Sequence, residues 1–180
     1  MPMSDEIILQ LAARPETRED AFRALVAAHQ QRLYAVIRQR VGAHGEADDI
    51  LQNTFLKVFR HLHTFEGRSG LFTWMYRIAV NEAANYHAAR KRRPVTDADA
   101  TLPEPHADAY VDSDRVAAQL EEAVRALPEQ QQRVFRLRYY DELTYKEMAG
   151  LLHLTEGALK ASFHHAVRKV EAFLKARQVY

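Results

Sequence analysis

The chain has 180 residues, 47% hydrophobic and 27% charged, with a net charge of +1. That is room for one large or two small packed domains, and it excludes wholesale disorder. There is no cysteine, which excludes disulfides, zinc ribbons and thiol catalysis and fits a reducing compartment.

The N-terminus, MPMSDEIILQLAARPETRED, has no basic region followed by an apolar core. No apolar run reaches the roughly 20 residues that span a bilayer. A cytoplasmic protein without membrane insertion is expected. Residues 1–93 carry 14 Lys/Arg and 10 Asp/Glu, residues 94–115 one Arg and six acids, and residues 116–180 carry 10 Lys/Arg and eight acids. Two mildly basic units thus flank an acidic tether. That balance suits a protein that meets DNA with a partner's help better than a strong lone DNA binder.

In chain order, Thr17 can cap a first helix with the apolar stripe Phe22, Leu25, Val26, Leu33, Val36, Ile37 and Val41, stopped at Gly42. A second helix runs from about Ala47, with Ile50, Leu51, Phe55, Val58, Phe59 and Leu62 on one side, until TFEGRSG breaks it. A third begins near Leu71 and ends in Arg90, Lys91, Arg92 and Arg93, because Pro94 disfavours helix in the residue before it. The stretch PVTDADATLPEPHADAYVDSD is rich in proline and acid and reads as a flexible linker over 94–115.

Beyond it, a helix covers roughly Val116–Ala126. Pro128 suits the first position of the next helix, which ends near Tyr140. Thr144 and Glu147 form a capping box with a Leu143–Met148 staple, so a helix starts at Tyr145. Thr155 caps another at Glu156. So short a bend, near His153 and Leu154, forces a helix-turn-helix, with Ala149 small at the crossing and Met148, Leu152, Leu154, Leu159 and Phe163 as the seam. The last helix presents Lys160, Ser162, His164, His165, Arg168 and Lys169, residues able to reach base edges and phosphates in a major groove. No segment alternates as a strand does, so the fold class is all-α: domains at 1–93 and 116–180 joined by the linker.

Nine histidines invite a metal site. Yet His61 and His63 fall on different faces of a helix, and His164 and His165 are adjacent, so neither makes a ligand pair. No HExxH, P-loop or nucleophile elbow occurs. The expectation is no catalytic residue, no metal, no cofactor and no enzyme. A stand-alone dimeric helix-turn-helix regulator fits the C-terminal unit but leaves the aromatic segment near Trp74 and the run RKRR unexplained.

LPEQQQRVFRLRYYDELTYKEMAGLLHLTEGALKASFHHAVRKVEAFL resembles region 4 of bacterial sigma factors, and EADDILQNTFLKVFRHLHTFEGRSGLFTWMYRIAVNEAANYHAARKRR resembles region 2. Their order and short tether are similar to extracytoplasmic-function, or group 4, RpoE-type members of the sigma-70 family. The resemblance implies a protein of stress-responsive transcription. It would bind core RNA polymerase through the β′ clamp and β flap, place it on promoter DNA and open the −10 region. An anti-sigma factor is a further implied partner, and the acidic linker would thread toward the RNA exit path.

By the same resemblance, Asp48, Asp49, Gln52 and Asn53 would face the clamp, with Phe55 and Phe59 in the core. Phe65, Glu66, Gly67, Arg68, Ser69 and Gly70 match a loop that holds a flipped base. Trp74, Tyr76 and Arg77 would stack on or steady unpaired bases, Phe72, Met75 and Ile78 being core. Asn81, Asn85 and Tyr86 would touch the −10 element, and Arg90, Lys91, Arg92 and Arg93 would meet phosphates. Four such contacts imply roughly a hundredfold affinity loss between 50 and 200 mM salt. Thr144, Tyr145, Lys160, Ser162, His164, His165, Arg168 and Lys169 would serve the −35 element. Two departures stand out: His153 replaces the family's usual turn glycine, and Ser162 and His165 stand where many relatives carry arginine.

Overall fold

The apolar periods of the sequence become helices. The structure is a computed structural model that describes residues 3–41, 44–92 and 111–177, and it contains no strand among them. It divides into two units, residues 1–93 and 94–180.

In the first unit, α1 (Asp5–Ala12), α2 (Arg18–Val41), α3 (His44–His61) and α4 (Leu71–Arg92) form a bundle in which α2 packs on the other three. Leu25, Leu33, Ile37, Val58, Leu71 and Met75 are wholly or almost wholly buried at its centre. The stripe expected on α2 is the buried one, apart from Phe22 and Val26, which are half-buried. Helix α1 has no counterpart among the elements expected from sequence. Its eight residues bury only Ile8, and Asp5 accepts a hydrogen bond from His29 Nε2 at 2.9 Å. Thr17 is not a cap. It closes a 3₁₀ turn, Pro15–Thr17, and its hydroxyl donates back to the Leu11 carbonyl at 2.6 Å. The expected stops at Gly42 and Pro94 lie outside the described residues.

Arg40 ties α2 to α4. It donates to the Val36 carbonyl at 2.6 Å and to the Tyr76 hydroxyl at 3.0 Å, while its own carbonyl accepts from His87 Nε2 at 2.8 Å.

In the second unit, α5 (Val111–Arg125), α6 (Glu129–Tyr139) and α8 (Glu156–Ala176) enclose Val124, Phe135, Ala166 and Val170, and α7 (Tyr145–Leu152) packs on α8 and α6. Helix α5 starts five residues before the expected Val116, inside the segment read as linker. Residues 115–118 of this helix are exposed, so they leave no buried apolar stripe to read. Pro128 is the N-cap of α6 and not its first residue, and its carbonyl accepts from Gln132 N–H at 2.9 Å. Glu121 of α5 takes ion pairs from Arg125 at 3.1 Å and from Arg136 of α6.

Candidate nucleic-acid and polymerase interfaces

On α3 the buried side is Ala47, Ile50, Thr54, Phe55 and Val58, which turns Asp48, Asp49, Gln52 and Asn53 outward together. These two acids and two amides form one exposed strip, able to meet a basic surface. Phe59 is not fully in the core. It stacks edge-on against Phe22 at 4.9 Å and lines an open apolar cleft of about 570 Å³ with Val26, Ala27 and the exposed Leu56. Short-range periodicity could not reveal this cleft, because its walls come from two helices.

The loop between α3 and α4 is the most specific feature of the first unit. A 3₁₀ turn, Leu62–Thr64, delivers Phe65 against Trp74, with ring centroids 5.4 Å apart. Gly67 then takes φ +70°, a left-handed conformation that side chains disfavour, and a Cβ there would meet nothing within 4 Å. Conformation, and not space, therefore demands glycine. The loop folds back so that Thr64, Phe65, Glu66, Arg68, Ser69, Trp74 and Arg77 line a cleft of about 190 Å³. Six residues expected through the resemblance, all but Thr64, thus share one cavity. Glu66 lies 2.6 Å from Arg68, an exposed pair that no sequence pattern announces.

Tyr76 stands apart from this group. It is only 4% exposed, with its hydroxyl accepting from Arg40, so its ring belongs to the core and cannot stack on a base in this conformation. Asn81 and Asn85 are exposed on the same side of α4 as Trp74. Arg90 lies on the opposite side, Nη1 2.8 Å from Glu46 Oε1 of α3. The Tyr86 phenol is raised above its ordinary value by hydrogen bonding to Glu46, by desolvation and by repulsion from the same carboxylate. The side chains of Lys91 and Arg92, and all of Arg93, lie outside the described residues.

In the second unit the capping box is present in both directions. Thr144 Oγ1 accepts from Glu147 N–H at 3.2 Å, and Thr144 N–H donates to Glu147 Oε2 at 2.7 Å. Leu143 and Met148 are both fully buried beneath it. Thr155 Oγ1 accepts from Ala158 N–H at 3.2 Å and starts α8. His153, between the helices, holds φ 56° and ψ 39°, the left-handed turn that glycine would fill more easily. Glu142 also has positive φ, at 53°, a turn that left no mark in the local sequence pattern.

Lys160, His164, His165, Arg168 and Lys169 are exposed along α8, while Ser162 is half-buried. Thr144 is exposed but engaged by Glu147, and Tyr145 is half-buried. Among the described residues, no helix is long and apolar enough to cross a membrane.

Comparison with known proteins agrees with this geometry. The Sigma-70 region 2 family matches residues 25–93 and the Sigma-70 region 4 family matches residues 117–170. The RNA polymerase sigma-H factor of Pseudomonas aeruginosa is 31% identical over 183 residues, covering 95% of this chain and 94% of that protein. The ECF RNA polymerase sigma-E factor of Escherichia coli K12 is 27% identical, covering 94% and 93%. Among solved structures, CnrH in complex with the cytosolic domain of CnrY has TM-score 0.61 and 25% identity, covering 96% of this chain and 97% of that one. The sigma factor RpoE in complex with the anti-sigma factor NepR from Bartonella quintana shares the fold, at TM-score 0.51 and 20% identity over 86% and 96% of the chains.

A stand-alone dimeric helix-turn-helix regulator would leave the whole region 2 match without a role. The chain belongs to the extracytoplasmic-function group of the sigma-70 family, the factors that direct RNA polymerase to promoters and start transcription there.

Proposed function

We propose that the two units divide the work of initiation, with residues 1–93 serving core polymerase and the −10 element and residues 116–180 serving the −35 element. The observation that carries the first half is the cleft that Phe65 and Trp74, packed on each other, line together with Arg68, Ser69 and Arg77. It offers aromatic edges, a hydroxyl, a carboxylate and two arginines around a space for one unpaired base. Stacking contributes about 1–3 kcal/mol per base, comparable with the few kcal/mol that flipping costs, so DNA can be opened by binding energy without ATP. Asn81 and Asn85 continue the track along α4.

The exposed acid–amide strip of α3 docks on a basic face of the polymerase clamp, and the second unit meets the β flap. Helix α8 enters the −35 major groove with Lys160, His164, His165, Arg168 and Lys169. The protein works in the cytoplasm as a specificity subunit and does no chemistry of its own. CnrH and RpoE, in their solved structures, are bound to CnrY and NepR. That supports an anti-sigma factor for this chain too.

The test adds the full chain to core polymerase on a promoter library and maps unpaired thymines with permanganate. Open complexes that depend on the protein are expected. Association without opening on any template would overturn the proposal.

A further inference from the structure

The assignment of α8 to the −35 groove, on which this inference rests, leaves unexplained what aims its first basic side chain. Tyr145, the first residue of α7, has the Arg138 guanidinium 5.2 Å and the Lys160 ammonium 5.6 Å from its ring centroid. The end of α6, the start of α7 and the second turn of α8 therefore converge on a single ring. Two of the three participants are fixed. Arg138 Nη1 donates to the Leu143 carbonyl at 2.9 Å. The backbone of Tyr145 follows directly on the Thr144–Glu147 capping box.

Lys160 is the participant with freedom to lose. An exposed lysine on a flexible four-carbon stem has many rotamers to choose among. A cation over an aromatic face at this range is attracted by the ring's electrons, which favours that placement about two- to fivefold and narrows the sweep of the chain. The fixed charge of Arg138 beside the same ring discourages Lys160 from folding back toward α6.

We propose that Tyr145 is a positioning residue for promoter recognition: its ring holds the Lys160 ammonium in the direction from which it reads a guanine edge of the −35 element. Tyr145 acts through Lys160 and need not touch a base. The link also makes the first helix of the motif, usually a backbone clamp, a determinant of sequence preference.

The experiment uses holoenzyme reconstituted with the full chain, with binding measured on promoters carrying each single-base change in the −35 element. Lys160→Gln marks the position whose discrimination depends on Lys160. Tyr145→Leu is expected to lose about two- to fivefold of the discrimination at that same position, the worth of an exposed cation–ring contact. Tyr145→Phe, which keeps the ring, retains it. In the Lys160→Gln background, Tyr145→Leu changes discrimination no further. Melting curves of each full-length variant identify any that is unfolded at the assay temperature, and Tyr145→Met then replaces Tyr145→Leu. The proposal is overturned if the ring-less variant keeps wild-type discrimination, if it weakens every −35 variant by one common factor, or if Tyr145→Phe behaves like it. If wild-type holoenzyme ignores the −35 sequence, the assignment of α8 fails and this inference with it.

Discussion

Arg90 Nη1 of α4 lies 2.8 Å from Glu46 Oε1 of α3. At about 100° per residue, Arg90 sits roughly 160° around α4 from Trp74. Glu82, which pairs with Lys57 of α3 at 2.5 Å, lies on the same α3-facing side. Arg90 therefore belongs to the seam between helices. In fork-junction binding by holoenzyme between 50 and 200 mM salt, Arg77→Gln should reduce the salt slope by about 0.7–0.9, one phosphate contact. Arg90→Gln should change it by less than half as much.

Trp74 forms one wall of the cleft that we assign to an unpaired base. Trp74→Ala should leave assembly with core polymerase intact. Capture of a −10 single strand should weaken by about 1–3 kcal/mol, roughly 5- to 150-fold. Permanganate reactivity of promoter thymines should fall in step, while binding to closed duplex changes little.

Tyr76 makes the contrasting case. Its burial and its bond from Arg40 make it a stability residue. Tyr76→Ala should destabilise the first unit by about 3–5 kcal/mol, as for other large aromatic truncations in cores. Denaturant unfolding of the full chain measures this. Tyr76→Phe should cost only about 1 kcal/mol, the value of one hydrogen bond.

The left-handed turn at His153 gives a test of opposite sign. His153→Gly should leave stability unchanged or raise it by up to about 1 kcal/mol, because relieved strain competes with the greater freedom of glycine in the unfolded chain. His153→Val, β-branched at positive φ, should lower it by about 1–2 kcal/mol. Thermal melts of the three proteins distinguish these outcomes.

Glu121 makes the second unit sensitive to acid. Desolvation raises its carboxyl, but hydrogen bonds and charge from Arg136, and then from Arg125, outweigh that and hold it below the ordinary 4.5. A folded value below the unfolded one means these pairs contribute stability above about pH 4.5. The contribution disappears as pH falls through the folded value. Between pH 5 and 3 the wild type should lose more stability than Glu121→Gln, measured by denaturant midpoints at each pH.

Chemistry confined to a few neighbouring residues is legible in this sequence. The Thr144–Glu147 box, the Thr155 cap and the strained His153 turn all depend on atoms within one helical turn, and each is present. The loop residues Phe65, Arg68, Ser69, Trp74 and Arg77 are legible through the resemblance to region 2, and that they line one cleft is a fact of the fold. Tyr76 misleads because its choice of core over groove is decided by Arg40, 36 residues away in sequence. Arg90 reads as part of a charged run, although its position around α4 is the property that matters. Helix α1 does carry a short apolar face, Ile8, Leu9, Leu11 and Ala12, but eight residues are too few to stand out as a helix alone, and what ties it down includes an Asp5–His29 bond made across 24 residues.

The stitching of α4 by Arg40 has a mechanical meaning. Tyr76 and His87 hold α4 to α2 at two heights, roughly 16 Å apart along the helix axis. A helix tied at two points on its back is stiffened against bowing. On the proposed reading, the spacing from the Phe65 and Trp74 cleft to Asn85 is therefore a fixed gauge, and α4 rather than the DNA would set the length of separated strand it accommodates.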